Sequence, residues 1–112
     1  MEFSDRGREA WNLGLQANQG TAGMQIFYFA ESMADSLEEK LEEGKELTDD
    51  LIFDSTLEPG QTGFTLACVV SVLRDAWIYG DKIVDWYYRT HGMPSLERCK
   101  SDLLGRRTQM PS

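Results

Sequence analysis

One segment of the chain, from Thr62 to Gly80, is apolar almost all round, and it constrains the fold more than any other feature. Its apolar residues are Phe64, Leu66, Ala67, Val69, Val70, Val72, Leu73, Ala76, Trp77 and Ile78. A β-branched run of this kind also suits a buried strand, but its length and the Arg74-Asp75 step favour a helix. A helix that is apolar on every side must be enclosed by other elements. We therefore expect a central helix.

The other segments show the amphipathic pattern that a central helix requires of its neighbours. Apolar residues at spacings of three and four predict helices over Ser4–Asn18, Thr21–Glu43 and Asp81–Thr90, and over a last segment from Ser95 to Gly105. Residues 45–60 loosen into a loop in which Thr48 can cap a short helical turn. These elements predict an all-α fold, a compact bundle of four to five helices in a single domain, 1–112, with residues 106–112 as a frayed tail.

Chain length and local composition indicate the size of the core and the cellular compartment of the protein. The chain has 112 residues, enough for one modest core. Its most apolar stretch, Phe64–Leu73, is about half the roughly 20 residues that a membrane span requires, and the first residues lack the pattern of a secretory signal. We expect a cytoplasmic protein whose two cysteines, Cys68 and Cys99, are small buried hydrophobic residues rather than a redox pair.

The charge of the chain is strongly polarised. The formal net charge is -8. Residues 31–58 contain eleven acidic residues and two lysines, whereas residues 82–107 contain six basic and three acidic residues. Residues 31–58 are therefore the part of the chain that would attract a basic partner.

Much of this negative charge falls on one side of the predicted helix over Thr21–Glu43. At about 100° per residue, five carboxylates gather on one side of the helix, rotated away from the apolar stripe, and we call them the acidic face: Glu31, Asp35, Glu38, Glu39 and Glu42. Glu43 and Glu46 extend it. A solvated helix charged only for solubility has a similar pattern, but such a helix usually interleaves lysines four residues from its glutamates, and lysine is scarce here. The imbalance favours recognition of a basic protein surface, while the same field would repel nucleic acid.

Three adjacent aromatic residues form a second candidate surface. Trp86, Tyr87 and Tyr88 cannot all point in one direction from a helix, so at least one should be partly exposed. Tryptophan and tyrosine are enriched in binding hot spots. The alternative is a packed tryptophan with a tyrosine hydroxyl reaching solvent.

The sequence offers little for catalysis. The lone histidine, His91, lies at a helix end beside Gly92 and suits a capping role. No nucleophile is visibly paired with a base, no glycine-rich phosphate loop is present, and one histidine with two distant cysteines does not make a usual zinc site. We expect no enzyme activity, no cofactor and no metal.

One acidic constellation supports an alternative. Glu39-x-x-Glu42 and Asp81-x-x-x-Asp85 on two helices look like the four-carboxylate magnesium cluster of the all-α nucleotide pyrophosphohydrolases of the MazG type, although the second pair departs from that family's Glu-x-x-Asp. The resemblance implies that the four carboxylates hold Mg²⁺ against a nucleotide pyrophosphate.

At the level of class, a small acidic helical protein with these features resembles the inhibitors of phages and other mobile elements, notably anti-CRISPR proteins. The resemblance implies a stoichiometric protein-binding inhibitor whose acidic face stands in for phosphates against a basic, nucleic-acid-binding partner. A structural subunit that forms a homodimer through exposed apolar residues is the remaining alternative.

Overall fold

The computed structural model describes residues 1–56 and 63–91, and this part of the chain forms five helices. They are α1 (Gly7–Asn18), α2 (Met24–Glu42), α3 (Asp49–Asp54), α4 (Gly63–Ala76) and α5 (Gly80–His91). The predicted all-α bundle is confirmed. The helix predicted from Ser95 to Gly105, the frayed tail and the capping role of the His91 side chain lie outside the described residues.

The helix α4 is the centre of the bundle, as its all-round apolar sequence predicted. Val69, Val70 and Leu73 have no exposed surface, and α1, α2 and α5 all pack against α4. Fully burying a side chain of this size contributes about 1.5–3 kcal/mol. None of the described helices, α4 included, is long and apolar enough to cross a membrane.

Local hydrogen bonds set the ends of α2 and α3. The hydroxyl of Thr21 accepts the backbone N–H of Gly23 at 3.2 Å in the turn before α2, and the helix begins at Met24, three residues later than predicted. Gly44, with a φ of +89°, takes the left-handed conformation expected at the predicted helix stop. The hydroxyl of Thr48 accepts the backbone N–H of Leu51 at 3.2 Å, which confirms the predicted cap of α3.

Two glycines allow close approaches at the end of α4. A Cβ atom on Gly80 would overlap the carbonyl oxygen of Leu73, so the chain turns directly from α4 into α5 only because residue 80 has no side chain. A Cβ atom on Gly7 would overlap the carbonyl oxygen of Ala76. Gly7 thus lets the start of α1 pack on the end of α4. Helix propensity alone treats this glycine only as a destabilising residue and does not reveal the contact.

The first six residues form an extended segment, not the beginning of the helix predicted from Ser4. Phe3 makes an isolated antiparallel β-bridge with Trp77. On either side of it, the Ser4 N–H donates to Ala76 and the Ile78 N–H donates to Glu2, both at 3.0 Å. The segment therefore lies along the junction between α4 and α5.

Cys68 is buried in the core, as predicted, with 1% of its surface exposed. It is also disulfide-bonded, so the prediction that Cys68 serves only as a small buried hydrophobic residue is wrong. Cys99, the chain's other cysteine, lies outside the described residues.

Candidate functional site

The carboxylates of α2 lie opposite its packed side, as the sequence predicted. Phe27, Ala30 and Leu37 are fully buried. On the other side Glu31, Asp35, Glu39 and Glu42 are exposed, and Glu38 is half-buried. Glu43 and Glu46 continue the exposed carboxylates beyond the helix. The geometry of the acidic face is therefore established, while its role as a partner surface stays a prediction.

Two members of the acidic face bind the amino terminus of the chain. The Met1 ammonium group lies 2.8 Å from Oδ1 of Asp35 and 3.4 Å from Oε1 of Glu38. The hydrogen bond to Asp35, together with the negative charges of both carboxylates, raises the pKa of this ammonium above its ordinary value of 8.0. The amino terminus thus neutralises part of the face from within the chain.

Glu38 also joins α2 to the junction between α4 and α5. Its Oε2 accepts the indole N–H of Trp77 at 2.8 Å and the backbone N–H of Glu2. These donors are 39 and 36 residues away in sequence. Periodicity along α2 carries no information about such distant donors, so the sequence analysis missed this structural role.

The remaining carboxylates of the acidic face are not neutralised by described lysines or arginines. Within the described part of the chain, Glu31, Glu39, Glu42 and Glu46 make no side-chain hydrogen bond or ion pair. Glu43 is 3.6 Å from Lys45, but both side chains are more than half exposed, and exposed pairs contribute only about 0–1 kcal/mol.

Two of the described basic side chains, Arg89 and Lys40, bind groups that lie outside the acidic face. Arg89 of α5 binds Asp49 of α3 at 2.6 Å, and this hydrogen bond raises the pKa of the arginine. Lys40 donates to the Ser55 hydroxyl at 3.0 Å. These contacts hold α3 against α5 and α2. They do not neutralise the carboxylates of the acidic face.

An exposed aromatic ring, Tyr28, lies on the same side of α2. It is 64% exposed and precedes Asp35 by seven residues, which is close to two helical turns, so the two side chains share one face. The sequence analysis did not single out Tyr28. Its helical position was the available signal, because it falls opposite the buried Phe27–Ala30–Leu37 stripe.

The second predicted surface, on α5, is corrected by the structure. Trp86 and Tyr87 are each only 2% exposed, and Tyr88 is half-buried. Ile83, Trp86 and Tyr87 follow a spacing of three and four residues and therefore share the buried side of α5. The prediction of a docking surface is wrong for Trp86 and Tyr87, and the packed alternative applies to them.

The four carboxylates of the predicted magnesium cluster do not come together. The described residues contain no group of three or more potential metal ligands. Glu42 lines a cavity with Met1 and Tyr79, whereas Asp85 lines a recess with Asp49 and Arg89. Glu42 and Asp85 thus line different depressions, and the predicted four-carboxylate magnesium cluster is wrong.

A known protein family matches most of the chain. A family model described as type I Thoeris inhibitor Tad4 matches residues 1–99. No curated protein and no solved structure matches the chain significantly.

Proposed function

The chain belongs to the Tad4 family of type I Thoeris inhibitors, and from this premise we propose that it inhibits by binding a Thoeris protein in a stoichiometric complex rather than by catalysis. The family supports the predicted inhibitor role in general, and its description names Thoeris where the sequence analysis expected CRISPR. We also propose that a phage encodes this inhibitor and that it acts in the cytoplasm of the host.

The proposal places the contact on the acidic face. The observation that carries it is that Glu31, Glu39 and Glu42 are exposed and unpaired within the described part of the chain. Glu31 and Glu39 each lie four residues from Asp35, and Glu42 lies four residues from Glu38. Two carboxylates at this spacing destabilise a helix by about 0.2–0.5 kcal/mol. A folded helix that retains such repulsion gains from a partner that supplies the missing positive charge.

The complementary partner surface is basic. Carboxylates one helical turn apart are separated by about 5.4 Å, a spacing comparable with that of phosphates along a nucleic acid strand. We propose that the face occupies a lysine- and arginine-rich surface of the Thoeris partner, of the kind that holds phosphate groups. Long-range attraction between the two surfaces should speed their association and make it sensitive to salt.

The test compares two variants with the same change in net charge. The first carries Glu31→Gln, Glu39→Gln and Glu42→Gln, and it leaves Asp35 and Glu38 in their structural contacts. The matched control carries Asp5→Asn, Glu9→Gln and Asp54→Asn, three exposed carboxylates outside α2. Each purified variant is titrated against the type I Thoeris proteins, produced separately, at two salt concentrations.

We expect the acidic-face variant to bind its Thoeris partner about tenfold or more weakly and with a flatter salt dependence. The control should bind like the unmodified chain. Equal losses in both variants would mean that net charge, not the face, determines affinity.

Stoichiometric inhibition has its own signature. Titrating the inhibitor into an active Thoeris reaction should abolish activity at a fixed molar ratio that does not change with incubation time. Complete inhibition by a small fraction of one equivalent, increasing with time, would show that the chain acts as a catalyst. Homodimerisation stays a prediction, which sedimentation at several concentrations tests.

A further inference from the structure

A cavity of about 410 Å³ lies where the N-terminal segment, the end of α2 and the α4–α5 junction meet. Its walls are formed by Met1, Glu2, Glu38, Leu41, Glu42 and Tyr79. Small-ligand pockets span roughly 300–1,000 Å³, so the cavity has room for one long side chain. Half of this lining is acidic and half is apolar, and that combination limits what it can hold.

The acidic half retains uncompensated negative charge. Glu38 is already satisfied by the Met1 ammonium and the Trp77 indole. Glu2 and Glu42 are exposed, and their carboxylates make no ion pair within the described residues. The described residues form no group of three potential metal ligands, and carboxylates beside apolar side chains suit an organic cation.

On the apolar side of the cavity, Tyr79 is held in position through its contact with Trp77. The ring of Tyr79 packs edge-on against Trp77, with centroids 5.3 Å apart and an interplanar angle of 73°. Trp77 is held in turn by its hydrogen bond to Glu38. Leu41 and Tyr79 are both half-buried, so the cavity has an ordered apolar wall beside a carboxylate.

This pairing of an aromatic ring with a carboxylate suits a guanidinium group. An arginine can lay its methylene stem along apolar surface, place its planar head near an aromatic ring and donate two parallel hydrogen bonds to one carboxylate. An ammonium group lacks the planar fork that this bidentate contact requires.

Building on the proposed function, we infer that this cavity is the socket for one arginine side chain of the Thoeris partner, with Glu42 as its carboxylate and Tyr79 as its ring. Because Glu38 and Glu42 belong to both the cavity and the acidic face, an arginine seated here would fix the register of the partner along α2.

The direct test uses a small probe and the intact chain. Amide chemical shifts are followed by NMR while the ¹⁵N-labelled protein is titrated with N-acetylarginine amide, and separately with the uncharged isostere N-acetylcitrulline amide. We expect weak saturable shifts at Leu41, Glu42 and Tyr79 with the arginine probe only. Glu42→Gln should weaken that binding about fivefold or more, whereas Glu31→Gln, on the same helix but outside the cavity, should not.

Equal shifts with citrulline, shifts spread evenly along α2, or no shifts would overturn the socket. An N-acetyllysine amide probe that binds as well as the arginine probe would overturn the guanidinium assignment. Tyr79→Leu should weaken the arginine probe while Tyr79→Phe retains it, and the urea midpoint of each variant shows whether it is folded.

Binding of the Thoeris partner separates the two proposals. If Glu31→Gln with Glu39→Gln weakens partner binding while Tyr79→Leu does not, the acidic face is supported and the socket is refuted. If the arginine probe binds but no variant of the face changes partner binding, the proposed function fails and the cavity remains a guanidinium site. If the acidic-face variant and Tyr79→Leu both weaken partner binding, both proposals are supported.

Discussion

The indole N–H of Trp77 donates a 2.8 Å hydrogen bond to Oε2 of Glu38, which joins the buried α4–α5 junction to the middle of the acidic face. Trp77 is 1% exposed, so its donor has no access to bulk water as an alternative. The face therefore contains two kinds of carboxylate. Asp35 and Glu38 hold the fold together, while Glu31, Glu39 and Glu42 are available to a partner.

Substitution of Glu38 tests this division. We expect Glu38→Ala to destabilise the chain by about 1–3 kcal/mol, because the buried Trp77 N–H loses its acceptor. Urea denaturation followed by tryptophan fluorescence measures the change. Glu39→Ala, one residue away, exposed and without a described partner, should stay within about 0.5 kcal/mol. Equal effects at the two positions would contradict the structural role of Glu38.

The amino terminus makes stability depend on pH above neutrality. The pKa of the Met1 ammonium is raised above 8.0 in the folded chain by its hydrogen bond to Asp35. Its contribution to stability is therefore fully present below pH 8 and is lost as the pH rises through the raised value. Asp35→Asn should be less stable than the unmodified chain at pH 7, and the difference should shrink at higher pH. Urea midpoints between pH 7 and 10 measure it, and a constant difference would contradict the contact.

Gly7 is expected to resist a substitution that normally stabilises helices. In an exposed helix interior, replacing glycine by alanine gains about 0.5–1 kcal/mol. At Gly7 the added Cβ overlaps the carbonyl oxygen of Ala76, so Gly7→Ala should cost about 1–3 kcal/mol instead. Thermal unfolding of this variant beside Asn12→Ala, an exposed position of α1, gives the comparison. A stabilising Gly7→Ala would show that α1 does not approach α4 so closely.

Tyr28 should affect binding and leave stability unchanged. We expect Tyr28→Ser to weaken capture of the Thoeris partner by about tenfold or more, as substitutions of exposed hot-spot tyrosines do, and to leave stability within about 0.5 kcal/mol. The matched control is Phe53→Ser, which removes a ring that is 65% exposed against 64% for Tyr28 but belongs to α3. Calorimetric titration measures the affinity of each variant for the Thoeris partner. Equal losses of affinity in the two variants would refute a role specific to the acidic face.

The sequence by itself determined the helices and their packed sides. The apolar stretch that contains Val69, Val70 and Leu73 favoured a central helix over a buried strand. The spacing along α2 placed Phe27 and Leu37 inside and the carboxylates outside. These properties follow from periodicities of three and four residues, which are local and can be read from a single chain. The positions of the acidic face were predictable for the same reason.

Only the tertiary structure decided which polar and aromatic side chains were available. Periodicity placed Trp86 and Tyr87 on α5, but packing against the bundle buried both. It placed Glu38 beside Glu39, but of these two carboxylates only Glu38 contacts the Trp77 indole and the amino terminus. The cavity beside Glu42 and Tyr79 arises from segments far apart in the chain. Such features depend on long-range contacts, whose partners no local pattern encodes.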